Sequence, residues 1–165
     1  MSTDAEVTLR CELRPGDLGR LTELHGRLYA EEYGFDPRFE AYVAESLGEL
    51  VQRGRPERDR LWLAELSGRL VGSVGILGRE NGAAQLRWFL VHPDARRRGL
   101  GSRLLREAVE FARAAGSRSL YLWTVSPLAD AARLYIAAGF RLTEETPAAA
   151  PWGVMLREQR YDLEL

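Results

Sequence analysis

The sequence predicts a mixed α/β (α+β) domain, with about seven strands in a mixed sheet and about four helices on its faces. Three observations lead there. The spacing of apolar residues switches repeatedly between the helical period near 3.6 and the strand period of 2. The elements follow the order β-α-α-β-β-β-α-β-α-β-β, which suits one sheet covered by helices. A loop rich in arginine and glycine stands where a strand gives way to an amphipathic helix.

Each element has its own signal. Val7–Leu13 alternates apolar and polar residues and predicts a strand. Pro15-Gly16-Asp17 is a turn with Asp17 as the expected N-cap, and a helix runs from it to about Glu32 on a stripe of Leu18, Leu21, Leu24 and Leu28. Tyr33–Pro37 breaks that helix. A second follows from about Pro37 to Gln52, carrying Phe39, Tyr42, Val43, Leu47 and Leu50. Arg53–Asp59, polar with Gly and Pro, is a loop. Leu61–Leu66 and Arg69–Leu77 flank Ser67-Gly68, a hairpin signal, and Gln85–His92 is a third strand in the run. The Pro93–Arg98 loop leads to a helix ending near Ala115, with Gly116 at its C-terminal stop. Ser119–Val125 is a strand, Ser126-Pro127 opens a helix that ends at Gly139, and Phe140–Glu145 and Val154–Leu163 are the last strands.

The bulk numbers bound the class. The 165 residues suit one domain spanning 1–165 and suffice for a sizeable core. No apolar run approaches the roughly 18 residues that cross a bilayer. The N-terminus lacks the pattern of a secretory signal, so a cytoplasmic protein is expected. With a net charge of -1, nothing in the overall field points to nucleic acid or a membrane surface. A single cysteine, Cys11, and two histidines make no convincing metal set, and none is expected. All 23 basic residues are arginine. With no lysine, a P-loop ATPase, a protein kinase and a pyridoxal-phosphate enzyme are excluded, since each depends on one.

The sharpest local feature is Arg96-Arg97-Arg98-Gly99-Leu100-Gly101-Ser102. The first turn of a helix offers unpaired N–H groups and the positive end of the dipole. Glycines there let a bulky anion reach the backbone, and arginines add charge-assisted hydrogen bonds. The stretch therefore suits a phosphate or pyrophosphate. The dinucleotide fingerprint fits poorly, because the loop is long and Leu104 stands at its third small position.

Val91-His92-Pro93, the arginine–glycine loop and the helix after it resemble the acetyl-CoA-binding motif of the GNAT N-acetyltransferase superfamily. Arg96, Gly99 and Gly101 match its [QR]-x-x-G-x-[GA] signature. Downstream, Ala131–Phe140 resembles the family's A-x-x-LY-x-x-x-GF segment. The likeness is firm over about Leu61–Glu145. The ending from Trp152 also looks like GNAT domains fused to MarR-type regulators in bacteria, although the chain is too short to hold such a DNA-binding domain as well. One position departs: many members carry asparagine seven residues before the tyrosine, and here it is Leu128.

The resemblance implies a GNAT fold with a mostly antiparallel sheet that splays between Gln85–His92 and Ser119–Val125. It implies acetyl-CoA as the acetyl donor, with coenzyme A as product. Arg96, Arg97, Arg98, Gly99, Leu100, Gly101 and Ser102 would hold the phosphates, and Leu90, Val91 and His92 the pantetheine arm, as β-augmentation does. Tyr135 would be the general acid, since a phenol is protonated at neutral pH and can donate to a departing thiolate. For the base, His25, Glu31, Glu32 and His92 are candidates, Glu31 and Glu32 lying closest to the segment that lines the acceptor pocket in this family. Tyr29, Tyr33, Phe35, Arg87 and Trp123 would contact the acceptor, Arg87 as a clamp for a carboxylate. The implied activity is transfer of an acetyl group to a primary amine of a small molecule, amino acid or peptide by direct attack in a ternary complex. A non-catalytic acyl-CoA-binding sensor module is the alternative. Exposed edge strands make a homodimer compatible with such a fold.

Overall fold

A computed structural model describes residues 6–165. The elements are β1 (Thr8–Arg10), α1 (Asp17–Tyr33), α2 (Pro37–Arg53), β2 (Arg60–Leu66), β3 (Arg69–Gly78), β4 (Ala83–Val91), α3 (Leu100–Ala114), β5 (Ser119–Val125), α4 (Ala129–Ala137), β6 (Arg141–Glu145) and β7 (Glu158–Glu164), with one 3₁₀ turn at Pro93–Ala95. The seven strands form one sheet in the order β1-β2-β3-β4-β5-β7-β6. Every neighbouring pair is antiparallel except β4 and β5, which run parallel across the α3 crossover. This is the expected mixed, mostly antiparallel sheet with four helices.

The sheet separates two apolar layers. On one face α3 and α4 bury Leu100, Leu104, Leu105, Ala108 and Tyr135 against Val71, Val74, Leu120 and Leu122. On the other, α1 and α2 bury Leu21, Leu28, Phe39, Val43 and Leu47 against Leu61, Leu63, Leu77 and Trp88. Such burial supplies the main driving force for folding.

The feature that shapes the site is a bulge in β4. Ser73 pairs with Leu90 but Gly75 with Arg87, so β4 spends three residues where β3 spends two. Trp88 takes up the extra length at φ 49°, and its carbonyl accepts a hydrogen bond from Ser73 Oγ at 2.5 Å. Bulges sharpen local twist and bend the strand. Beyond it β4 and β5 no longer pair: their ladder is confined to Ala83–Gln85 against Ser119–Tyr121. The sheet is splayed there.

Several boundaries differ from the sequence reading. β1 covers Thr8–Arg10 rather than 7–13, because the Arg10 side chain turns to Asp17, Glu65 and the Glu12 carbonyl. Asp17 does not cap α1. Gly16 holds the cap at φ 93°, and the Asp17 carboxylate is taken by Arg10 at 2.8 Å, Arg20 at 2.6 Å and the Arg14 amide at 2.6 Å. Ser126 does not cap α4 either; its hydroxyl accepts the Arg157 amide at 3.0 Å, and Leu128 stands at the cap. The last strand begins at Glu158 rather than Val154. The preceding segment leaves the sheet to reach the α1–α2 turn, where the Asp36 amide donates to the Trp152 carbonyl at 3.0 Å.

Candidate active site

The loop before α3 leaves backbone amides free of helical partners. Arg97 at φ 62° and Gly99 at φ 75° both lie in the left-handed region, flanking Arg98. Alternating conformations of this kind turn successive amides toward one side, as in anion-binding nests. The first helical bond of α3 is Arg103 N–H to the Gly99 carbonyl, so the amides of its first turn are unspent within the helix. A Cβ placed on Gly99 would have nothing within 4 Å, which leaves the backbone approachable. Gly101 differs: its Cβ would lie 2.8 Å from Leu134 Cδ1, so this glycine lets α3 pack against α4. The residues present therefore fit a pyrophosphate.

Arg96 faces elsewhere. Its guanidinium forms a two-pronged pair with Glu32 at 2.5 and 2.8 Å, and its Nε donates to the Val91 carbonyl at 3.0 Å. The side chain thus ties the loop to the end of α1. The hydrogen bond to Glu32 raises the pKa of Arg96 further, so the guanidinium stays charged. The edge of β4 that faces β5 has no strand partner from Leu86 to Val91, so Leu90 and Val91 lie on open strand, with the Val91 carbonyl taken by Arg96. His92 sits at the head of the 3₁₀ turn, where Nδ1 accepts the Asp94 amide at 3.1 Å; burial and Arg69 lower its pKa.

Beside this edge opens a cleft lined by α1, α2, the splayed parts of β4 and β5, and Trp152. Its volume is about 120 Å³. Tyr135 forms part of its floor, 4% exposed, with its ring 5.6 Å from Phe89, 6.0 Å from Phe140 and 5.8 Å from Tyr161. Burial pushes its pKa upward, which keeps the phenol protonated. Tyr29, Phe35, Phe39, Tyr42 and Trp152 make an aromatic wall, with Trp152 centred 5.0 Å from Phe39 and 5.2 Å from Phe35. Across the mouth, the Arg87 guanidinium lies over the rings of Tyr42 at 5.4 Å and Trp88 at 5.2 Å and donates to the Tyr42 hydroxyl at 2.9 Å.

Of the residues expected to contact the acceptor, Tyr29, Phe35, Arg87 and Trp123 line the cleft, and Tyr33 packs with tilted rings against Tyr29 and Phe35. Glu31 and Glu32 do not join them: Glu31 is exposed beside Arg27, and Glu32 is held by Arg96. His92 lies outside the cleft. His25 does line it. Its Nδ1 donates to the Leu21 carbonyl on its own helix at 2.9 Å, its Nε2 is buried without a partner, and burial lowers its pKa to about 4. It is a neutral ring with one free acceptor nitrogen.

Phe39, Tyr42, Trp152 and Glu158 are cleft residues the sequence reading did not assign to the site. Phe39 and Tyr42 were visible as apolar positions of α2. Trp152 and Glu158 lie more than a hundred residues after Phe39 and Tyr42, and no local pattern ties them to α2.

The sequence model of the Acetyltransferase (GNAT) family matches residues 20–140. The chain belongs to that family. It is 33% identical over 118 residues to the uncharacterized N-acetyltransferase YjgM of Escherichia coli, covering 69% of this chain and 71% of that protein. It is 29% identical over 118 residues to an uncharacterized N-acetyltransferase of Schizosaccharomyces pombe, covering 70% and 72%. Its fold overlays the crystal structure of a Desulfovibrio desulfuricans protein assigned to the GNAT acetyltransferases, with TM-score 0.77, 25% identity, and 96% and 99% of the two chains covered. The protein is an acetyltransferase. No helix among the described residues is long and apolar enough to cross a membrane.

Proposed function

We propose that the chain forms a single N-acetyltransferase domain over residues 1–165, which transfers an acetyl group from acetyl-CoA to a primary amine of a small molecule, amino acid or peptide in a ternary complex. The observation that supports this best is the junction of two features. The free stretch of β4 lines the cleft that holds Tyr135 at Leu86–Phe89, and the nest at Arg97–Gly99 follows that strand and opens α3, whose Gly101 packs beside Phe89. The backbone of Arg98, Gly99, Leu100, Gly101 and Ser102 would hold the pyrophosphate, with Arg97 and Arg98 close enough in sequence to reach the adenosine phosphate. Leu90, Val91 and His92 would flank the pantetheine arm, and the Arg96–Glu32 pair would fix the loop against α1.

When bound, acetyl-CoA supplies a thioester whose carbonyl carbon takes the amine nitrogen as its carbon–sulfur bond breaks. The protein's part is to place the amine and deliver one proton. Tyr135 donates its hydroxyl proton to the departing sulfur, and the phenolate recovers a proton from the acylated nitrogen through cleft water. The aromatic wall covers the reacting centre. No metal takes part in this reading, and a cytoplasmic location, where coenzyme A esters circulate, goes with it. The segment from Trp152, which resembles MarR-linked domains, closes the cleft and needs no nucleic-acid partner for that.

A second reading, a non-catalytic acyl-CoA sensor, draws on Leu128. It replaces the family's asparagine and lines the cleft with an apolar side chain. Calorimetric titration with acetyl-CoA, followed by release of the coenzyme A thiol in the presence of an amine panel, tests both. Binding with turnover supports the enzyme, and binding without turnover of any amine supports the sensor. Gly99→Asp is the control. Its side chain has room, aspartate tolerates the left-handed backbone better than most residues, at a cost of about 1 kcal/mol, and it adds a negative charge beside the anion site, so it should lose acetyl-CoA binding while circular dichroism shows it folded. Failure of the wild-type protein to bind acetyl-CoA would overturn both readings.

A further inference from the structure

The cleft is lined by two side chains of formal charge, and they are opposite in sign: Arg87 on β4 and Glu158 at the start of β7. Residues paired across antiparallel strands project on the same face. Glu158 pairs with Val125, and Val125 packs into the layer under α1 and α2. Glu158 therefore projects toward the face on which Arg87 meets Tyr42 of α2.

The charged side chains nearby have hydrogen-bond partners of their own. Arg160 pairs with Asp162 at 2.9 Å, Glu145 accepts from Gln159 at 2.7 Å, and Arg157 donates to the Thr146 carbonyl. Among the described residues the Glu158 carboxylate has no hydrogen-bond or ion partner; only its backbone is used, the amide donating to Thr146 Oγ1 at 3.0 Å and the carbonyl accepting the Thr146 amide at 2.9 Å. Arg87 has no carboxylate partner either. Its guanidinium is nevertheless held in place, clamped by the Tyr42 hydroxyl and laid over two rings. Ordering a long cationic side chain without an anion costs rotamer freedom, and that ordering lowers the cost of receiving one. Between the two charges the lining is mostly aromatic and aliphatic.

We infer that the acceptor is a free amino acid with an aromatic or large apolar side chain. Arg87 takes its carboxylate, Glu158 draws in its ammonium on the side nearer Val125, the wall of Tyr29, Phe35, Phe39 and Trp152 receives its side chain, and the ammonium gives its extra proton to solvent water before the free amine attacks. This rests on the acetyl-transfer reading above and narrows its acceptor. A neutral amine would leave Arg87 unmatched in the cleft. A residue inside a peptide would lack the free carboxylate.

The test compares L-phenylalanine, L-tyrosine, L-tryptophan and L-leucine with their carboxamides and with phenethylamine, tyramine and tryptamine. The wild-type protein should acetylate at least one of the acids with kcat/KM about tenfold or more above its amide, the scale of one charge-assisted hydrogen bond. Arg87→Met should bring acid and amide together, and Arg87→Lys should restore part of the difference. Glu158→Gln should lower kcat/KM for acid and amide by the same factor, since both carry the ammonium. Equal rates for acids and amides in the wild-type protein, or a preference untouched by Arg87→Met, would overturn the inference and leave acetyl transfer standing. Binding of acetyl-CoA with no product from any amino acid would overturn it too. Loss of acetyl-CoA binding itself would instead remove the reading beneath it.

Discussion

The indole of Trp88 lies against the bare α-carbon of Gly75, so close that a Cβ on Gly75 would sit 2.4 Å from Trp88 Cε3. On its other side the indole Nε1 donates to Ser46 Oγ of α2 at 3.0 Å. The missing side chain on β3 is what allows β4 to bulge with Trp88 turned inward, and that bulge is where the sheet begins to open into the cleft. Gly75→Ala forces a rigid ring to move. It should destabilise the fold by about 1–3 kcal/mol, the usual cost of overpacking, and shift tryptophan emission as the indole loses Ser46. Urea unfolding and fluorescence measure both. An alanine variant as stable as wild type would mean that the bulge does not depend on this contact.

Tyr135 is proposed as the proton donor, and Tyr135→Phe separates that role from packing. Phenylalanine preserves the ring contacts with Phe89, Phe140 and Tyr161 and removes only the hydroxyl. With an acetylated amine in hand, kcat should fall by about a hundredfold or more, the range for loss of a general acid, while the Kd for acetyl-CoA stays within about twofold. Equal turnover by both forms across pH would remove Tyr135 from the chemistry.

Much of the fold and part of the site were legible in the sequence, and the division has a physical cause. The arginine–glycine loop could be read because cap, dipole and anion all act within seven consecutive residues. Tyr29, Phe35, Arg87 and Trp123 reached the cleft because the family's topology fixes where α1, β4 and β5 meet. What could not be read depended on contacts between distant segments. Trp152 becomes a cleft wall only because the chain leaves the sheet after β6 and bonds to Asp36. Arg96 matches the family signature by position, yet its side chain is spent on Glu32, a residue 64 positions earlier in the chain. Asp17 had the right type for a helix cap, but three other donors claimed its carboxylate. Local rules gave each of these residues a role that tertiary partners then reassigned.

The Glu32–Arg96 pair is partly exposed, so its loss should cost little stability. Glu32→Gln should change unfolding free energy by less than about 1 kcal/mol. Its effect should fall instead on the loop, which would lose its tie to α1 and bind acetyl-CoA several-fold more weakly. Glu31→Gln serves as the comparison. Glu31 is exposed beside Arg27, and this substitution should leave both acetyl-CoA affinity and kcat/KM within about twofold. A large loss of kcat at constant acetyl-CoA affinity in either variant would restore that glutamate as the base.

His25 gives the protein a stability that depends on pH. Burial lowers its pKa from the ordinary 6.5 to about 4. The unfolded chain therefore takes up a proton below pH 6.5, while the folded protein resists until about pH 4. Stability from this group is complete above pH 6.5 and declines as the pH falls toward 4, by about 3 kcal/mol over the whole span. His92 is held down in the same direction, and Asp17 and Asp36 lose their arginine partners' support at lower pH. The difference between wild type and His25→Leu isolates the one ring. Urea midpoints taken every half unit from pH 8 to 4 should converge on a flatter profile in the variant, with the gap closing between pH 6.5 and 4. Parallel profiles would mean that His25 titrates in the folded protein as it does in the unfolded chain, and that burial does not hold it neutral.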